Sequence, residues 1–310
     1  RLADLRLAEA RDNFQARMAT FLGENPTADE LGNRALAPFV DYAPAIALYE
    51  KIPAEDANFA HVDAVLFNLG MILSDDGQPR GAAYLARLVE EYPGSPDAQE
   101  AWLRMGSDRF DAKDYAACVP LFEHAASGKD PSFTAIALYK LGWAYFEEDR
   151  FDGSADAFRR LMDHYAAHAD VARSMDLRDE AEEYLVHSLA RAGGADEFRD
   201  YFDRVGRRDY EARILMSLGH LMRSLSLYEE AVACDELWLR RYPTDPQALA
   251  VADRMVATYQ RWNKPDQARD AKLAQAERFL PGSAWYEANR DDELRRASLA
   301  FAQSAYRETA

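Results

Sequence analysis

Apolar residues in this chain recur at helical spacing in paired stretches, each pair interrupted by a short polar turn. Between Ser132 and Tyr165, Ala135, Leu138, Leu141, Ala144 and Tyr145 fall on one helical stripe. Glu147-Glu148-Asp149-Arg150 breaks it, and Phe151, Ala155, Phe158 and Leu161 or Met162 make a second stripe. The pattern predicts two antiparallel helices, and no segment shows the period-2 alternation of a strand. The hairpin recurs. Leu69-Gly70, Met105-Gly106, Leu141-Gly142 and Leu218-Gly219 mark its copies, with 106 − 70 = 36 and 142 − 106 = 36. An aromatic follows three of these glycines at a fixed distance (Tyr115, Phe151, Tyr228), and a small residue stands three positions further on (Ala82, Cys118, Ser154, Ala231). Glycine and small residue are expected to let the two helices approach closely. One hairpin cannot bury both of its faces, so several must stack into an array.

The period breaks at three places. Ala166 to Leu177 reads as an insertion, and Arg178 to Val205 as a degenerate repeat of helix, Gly193-Gly194 turn and helix. At the start, Leu7, Phe14 and Phe21, with Met18 beside them, predict one helix packed on the first repeat and ended by Gly23 to Pro26. Tyr42, Ala45 and Tyr49 repeat the second-helix pattern, placing a divergent repeat over Thr27 to Ala57. At the other end Leu294, Ala297, Phe301 and Ala305 predict a capping stripe. The expected organisation is an N-terminal helix (1–26), a first array (27–177), a second array (178–283) and capping helices (284–310), about 14 to 16 helices in all. Tyr92-Pro93-Gly94-Ser95-Pro96 and Tyr242-Pro243-Thr244-Asp245-Pro246 each read as helix end, tight turn and helix start, with Ser95 or Asp97, and Asp245, as candidate N-caps.

These residues resemble the tetratricopeptide repeat (TPR) family. Leu138, Leu141-Gly142, Tyr145, Phe151, Ser154 and Phe158 follow its pattern with Ser for Ala and no closing Pro. Leu215, Leu218-Gly219, Tyr228-Glu229-Glu230-Ala231 and Pro243 follow it with Met222 in the Tyr place, and Met105-Gly106, Tyr115, Cys118 and Phe122 with Arg109 there. A weaker copy runs from Met255-Val256 through Tyr259 and Pro265-Asp266-Gln267-Ala268 to Pro281. The resemblance covers about Val62 to Pro281 and implies an all-α, TPR-type α-solenoid, a right-handed superhelix whose first helices line a concave groove. Carrying the family's inward positions onto this chain gives Phe67, Met71 and Ser74; Leu103, Ser107 and Phe110; Tyr139, Trp143 and Phe146; and Met216, His220 and Arg223. Phe67, Met71, Leu103, Phe110, Tyr139, Trp143, Phe146 and His220 are therefore the candidate peptide-binding residues. The apolar ones could form a trough for a peptide, or pack against neighbouring repeats or the N-terminal helix. The family's clamp for acidic chaperone tails is missing, since Met71, Ser107 and Trp143 stand where Asn is wanted. The stretch Tyr92 to Gly106, with Tyr139 to Tyr145, is similar in style to two bacterial periplasmic TPR proteins, the Tol–Pal-associated coordinator and the lipoprotein of the outer-membrane protein assembly machine. That resemblance implies a periplasmic or outer-membrane-associated location, with the cytoplasm as the alternative.

Composition narrows the function. The net charge is −17, from 54 acidic and 37 basic side chains. Acid excess argues against binding nucleic acid or an anionic membrane surface and favours a basic or neutral partner. No apolar run approaches a membrane span. The chain begins at Arg1 without a methionine, so the absence of a leader, a lipid-anchor cysteine or a further domain from it is uninformative. Cys118 and Cys234 occupy apolar helix sites and read as buried thiols, too far apart along an array to bridge. His164 and His168 share a helix face without an evident third ligand, so no metal site is expected. Carboxylate pairs such as Glu90-Glu91 and Asp291-Asp292 read as solvated faces, and no phosphate loop, dinucleotide fingerprint or nucleophile elbow occurs. No catalytic residue and no cofactor are expected. The chain reads as a non-catalytic scaffold holding a protein or peptide segment in its groove, in a bacterial cell-envelope complex. The alternative is a regulatory or targeting module of a larger, even enzymatic, protein. The sequence carries no signal for an oligomeric state. Far-ultraviolet circular dichroism should show a helical spectrum, and substantial β content would overturn this reading.

Overall fold

The computed structural model describes residues 1–23, 38–56 and 59–309. Among these residues there are 17 α-helices and no strand, slightly more helices than the pattern predicts because the inserted and capping segments form short helices of their own. The divergent repeat's expected first helix, and the break at Glu24 to Pro26, lie outside the described residues. The chain forms two compact units, Arg1–Lys140 and Leu141–Ala310. Each is an array of antiparallel helix pairs of TPR type.

In the first unit, α1 (Leu2–Gly23) packs on α2 (Ala43–Glu55). The pairs α3 (Val62–Asp75) with α4 (Gly81–Glu91) and α5 (Ala98–Asp111) with α6 (Tyr115–Ala126) follow. The α1 stripe is buried only at its start: Ala3 and Leu7 sit among Ala45, Ile46 and Tyr49, whereas Phe14, Met18 and Phe21 are half-buried. The Tyr49 hydroxyl donates to Asp4 Oδ1 at 2.6 Å and fastens that end. Helix α7 (Pro131–Glu147) carries the boundary between the two units.

In the second unit, α8 (Phe151–Ala167) is followed by the short α9 (Ala169–Ser174), which occupies the insertion. The degenerate repeat is α10 (Arg178–Ala192) and α11 (Gly194–Val205), joined at Gly193 as expected. Then come α12 (Glu211–Ser224) with α13 (Tyr228–Arg241) and α14 (Ala248–Arg261) with α15 (Pro265–Ala276). A 3-10 turn (Glu277–Phe279), α16 (Ala284–Ala288) and α17 (Asp292–Thr309) close the unit. The capping stripe differs from expectation by one position. Ser298 is buried and Ala297 exposed, because the Ser298 hydroxyl donates to the Phe279 carbonyl at 3.0 Å under the Phe301 ring.

Two local devices repeat. The first is the turn inside every hairpin except α10–α11. Gly77, Lys113, Asp149, Ser226 and Asn263 all adopt a left-handed backbone, with φ of 70°, 59°, 56°, 61° and 58°. After each, the next amide reaches back five residues: Gln78 to Leu73, Asp114 to Arg109, Arg150 to Tyr145, Leu227 to Met222 and Lys264 to Tyr259, at 2.7–3.0 Å. This closes the helix C-terminus and aims the chain back along the first helix. The linkers use side chains differently from the expected caps. Ser95 Oγ and Asp245 Oδ1 accept from the amides of Asp97 and Gln247, forming turns ahead of the helices, and Asp97 makes no side-chain cap bond.

The second device is the glycine contact. A Cβ placed on Gly70, Gly106 or Gly142 would lie 2.4 Å from Leu85, 2.6 Å from Phe122 and 2.7 Å from Phe158. At Gly219 the smaller Cys234 leaves 3.1 Å. The bulky side chain of the second helix thus lies on the bare backbone of the first. Cys118, Ser154 and Ala231 are fully buried beside it, as predicted. Ala82 is not. It faces solvent, and Gly81 takes the small position because its own Cβ would strike the Gly70 carbonyl and the Ser74 amide. Both cysteines are buried outside any disulfide, and burial pushes the Cys234 thiol up to about 12. Gly106→Ala gains about 1 kcal/mol of helix propensity but overpacks a fully buried Phe122. We expect a net loss of about 1–2 kcal/mol, read by urea denaturation; equal or greater stability would refute the contact.

Candidate protein-binding site

The predicted groove residues divide between the units. In the first, Phe67 and Met71 are half-buried against Leu66, Leu85 and Leu88 of the α3–α4 hairpin. Leu103 is buried. Phe110 lies edge-on to Tyr115 at 5.3 Å and near Phe122 at 6.3 Å, with the Lys140 ammonium 5.4 Å above its ring. Tyr139 is half-buried. In the second unit Trp143 and Phe146 converge on Tyr184, with ring centroids 4.1 Å and 5.5 Å away. Tyr184 also lies 5.8 Å from Phe158. Sequence reasoning missed Tyr184 because it stands in the degenerate repeat, where no Leu-Gly pair fixes the register. None of the seven apolar candidates is among the large exposed hydrophobic side chains; each spends part of its surface on a neighbouring helix.

A large opening lies in the second unit, and of the predicted inward positions only Met216, His220 and Arg223 line it. A cavity of about 1330 Å³ is lined by the first helices α10 and α12 and by Arg254 of α14, together with the end of α8, Trp238 of α13 and the linker residues Asp245 and Gln247. Val186 and Trp238 are buried in its wall, and Met216 and Leu221 half-buried. His220 stands exposed on its rim. The surroundings are polar and mostly paired. Arg213 meets Glu182 at 2.6 Å and Arg178 meets Asp176 at 2.6 Å.

Beneath the cavity is a buried ion triad. Asp235 on α13, 2% exposed, is held by Arg223 of α12 at 2.8 Å and by Arg254 of α14 at 2.7 Å. One carboxylate thus joins the first helices of two successive hairpins. Burial raises the Asp235 carboxyl against the opposing pull of the two guanidiniums, and burial lowers Arg223. A second network joins the preceding repeats. Fully buried Glu211 accepts from Arg241 at 2.7 Å, and Arg241 also reaches Asp203 on α11. Asp163 on α8 takes Arg159, Arg208 and the Tyr210 hydroxyl at 2.7, 3.0 and 2.7 Å. These networks fix the helices that line the cavity.

Among the described residues no three His, Cys, Asp or Glu side chains are grouped to hold a metal ion. His164 and His168 stack at 4.2 Å, with His168 Nδ1 lying 3.1 Å from the His164 carbonyl oxygen. No described helix is long and apolar enough to cross a membrane.

Comparison with known proteins bears on the repeats. The tetratricopeptide repeat family model matches residues 64–95 and 136–168. No curated protein matches the chain. Similar solved structures include the TPR2AB-domain:pHSP90 complex of yeast Sti1, 13% identical, covering 77% of this chain and 98% of that one at a TM-score of 0.33. The apo form of RapI is 12% identical and covers 100% and 98% at 0.36. BtubC from P. vanneervenii is 14% identical and covers 79% and 92% at 0.25.

Asp235→Asn would leave two buried guanidiniums sharing a neutral amide. We expect about 3 kcal/mol of destabilisation, measured by urea unfolding; a change below the error of the method would show that the triad is not structural. The family match and the repeated hairpin geometry together support the tetratricopeptide repeat family, with residues 64–95 and 136–168 as the segments that carry its signature.

Proposed function

We propose that this chain is a non-catalytic scaffold that holds a segment of another protein against the faces of its first helices. Tetratricopeptide repeats generally mediate protein–protein interaction, and two such repeats match here. The observation that carries the reading is the large cavity formed by successive first helices in the second unit, its walls fixed by buried ion networks. A preformed wall lowers the ordering cost of capturing a flexible segment. The aromatic cluster of Trp143, Phe146 and Tyr184 supplies rigid side chains of the type that anchor protein interfaces. Phe67, Met71, Leu103, Phe110 and Tyr139 extend the same role to the first unit.

The setting we propose is a bacterial cell-envelope assembly, on the periplasmic side or at the outer membrane. Its support is the style of the Tyr92 to Gly106 linker and helix and of the Tyr139 to Tyr145 segment. The test is partner binding by a Trp143→Ala variant whose helicity and melting are checked in parallel. Affinity should fall about tenfold or more, as for an interface hot spot. A folded variant with unchanged binding would remove the aromatic anchor from the account.

A further inference from the structure

The cavity of the second unit has a charge pattern that its own side chains leave unbalanced. Every arginine lining it is already engaged: Arg178 with Asp176, Arg213 with Glu182, and Arg223 and Arg254 with Asp235. The carboxylates are not all matched. Asp179 and Asp209 line the cavity, are exposed, and form no ion pair within 4 Å among the described residues. Glu183 has only His187, at 3.8 Å, a partner that is charged only when protonated. These acids stand on α10 and just ahead of α12, on the rim of a hollow with Val186, Met216 and Trp238 in its wall.

Resting on the scaffold reading above, we propose that this cavity is the docking site, and that its occupant is a protein segment bearing Lys or Arg beside an apolar side chain. The apolar residue enters against Met216 and Val186, and the cations lie over Asp179, Glu183 and Asp209. Charge complementarity singles out this occupant. An acidic segment would meet three carboxylates and find no free guanidinium, since releasing Arg223 or Arg254 would strand a buried Asp235. The net charge of −17 draws the same ligand by long-range attraction. Sites on flat acidic faces elsewhere in the chain lack the apolar hollow that would desolvate the contact and set its register.

The test uses the full chain as bait for a phage-displayed library of random dodecapeptides. Enriched peptides should carry two or more basic residues next to a Leu, Met or aromatic. The triple variant Asp179→Asn, Glu183→Gln, Asp209→Asn should bind them about tenfold more weakly. A control with the same net charge, Glu229→Gln, Asp253→Asn, Asp266→Asn, should bind within about twofold of wild type. Ser217→Tyr, which fills the hollow from a half-buried position, should block binding while leaving the helical spectrum intact. Enrichment of acidic or uncharged peptides would overturn the proposal. So would basic peptides that bind the triple variant and the control equally. If such peptides instead lose affinity in Trp143→Ala, the scaffold reading stands and only this site falls; no enrichment at all counts against both.

Discussion

The close approach of the two helices in each hairpin is the constraint on which the repeats depend. Gly70, Gly106 and Gly142 expose bare helical backbone, and Leu85, Phe122 and Phe158 lie directly on it. A fully buried Leu or Phe contributes about 1.5–3 kcal/mol, and that burial is available only if nothing larger than hydrogen stands on the facing backbone. In five of the hairpins a left-handed turn residue, followed by an amide that reaches back five residues, sets the return of the chain. With the hairpin fixed, its outer faces remain apolar and must be covered by the next one.

Where the glycine contact weakens, polar links take over. At Gly219 the facing residue is the smaller Cys234, and the neighbouring Asp235 is gripped by two arginines from successive first helices. The degenerate repeat has no Leu-Gly pair, and there Glu211, Arg241, Asp203 and the Asp163 cluster tie α8, α11, α12 and α13 together. A buried pair of this kind is costly to desolvate but specific in geometry. That specificity suits walls that must hold their spacing around an open cavity.

Much of this was legible in the sequence. The period, the glycines, the Cys118–Phe122 and Ser154–Phe158 pairs, the Gly193 turn and the helical cap all followed from spacing. Other features depend on contacts between residues distant in the chain. Ala82 gave way to Gly81 because Leu85 follows Gly70 by 15 residues, one fewer than the 16 by which Phe122 and Phe158 follow Gly106 and Gly142, a shift that the period between glycines does not register. The Asp235 triad joins positions 223, 235 and 254 on three helices; Arg223 was read as an inward groove position, and no spacing linked it to Asp235 or Arg254. The aromatic positions drew attention to Tyr139, Trp143 and Phe146, whereas the structure spends part of the Trp143 and Phe146 rings on Tyr184 and opens its large cavity further along, among residues too mixed in character to stand out.

The central claim is that a partner segment lies on the first helices. Photo-crosslinking residues placed one at a time at Ser107 and His220 on first helices, and at Glu123 and Glu236 on second helices, test it most directly. The account predicts crosslinks from the first-helix positions and none from the second-helix positions. Crosslinks confined to Glu123 and Glu236 would contradict it.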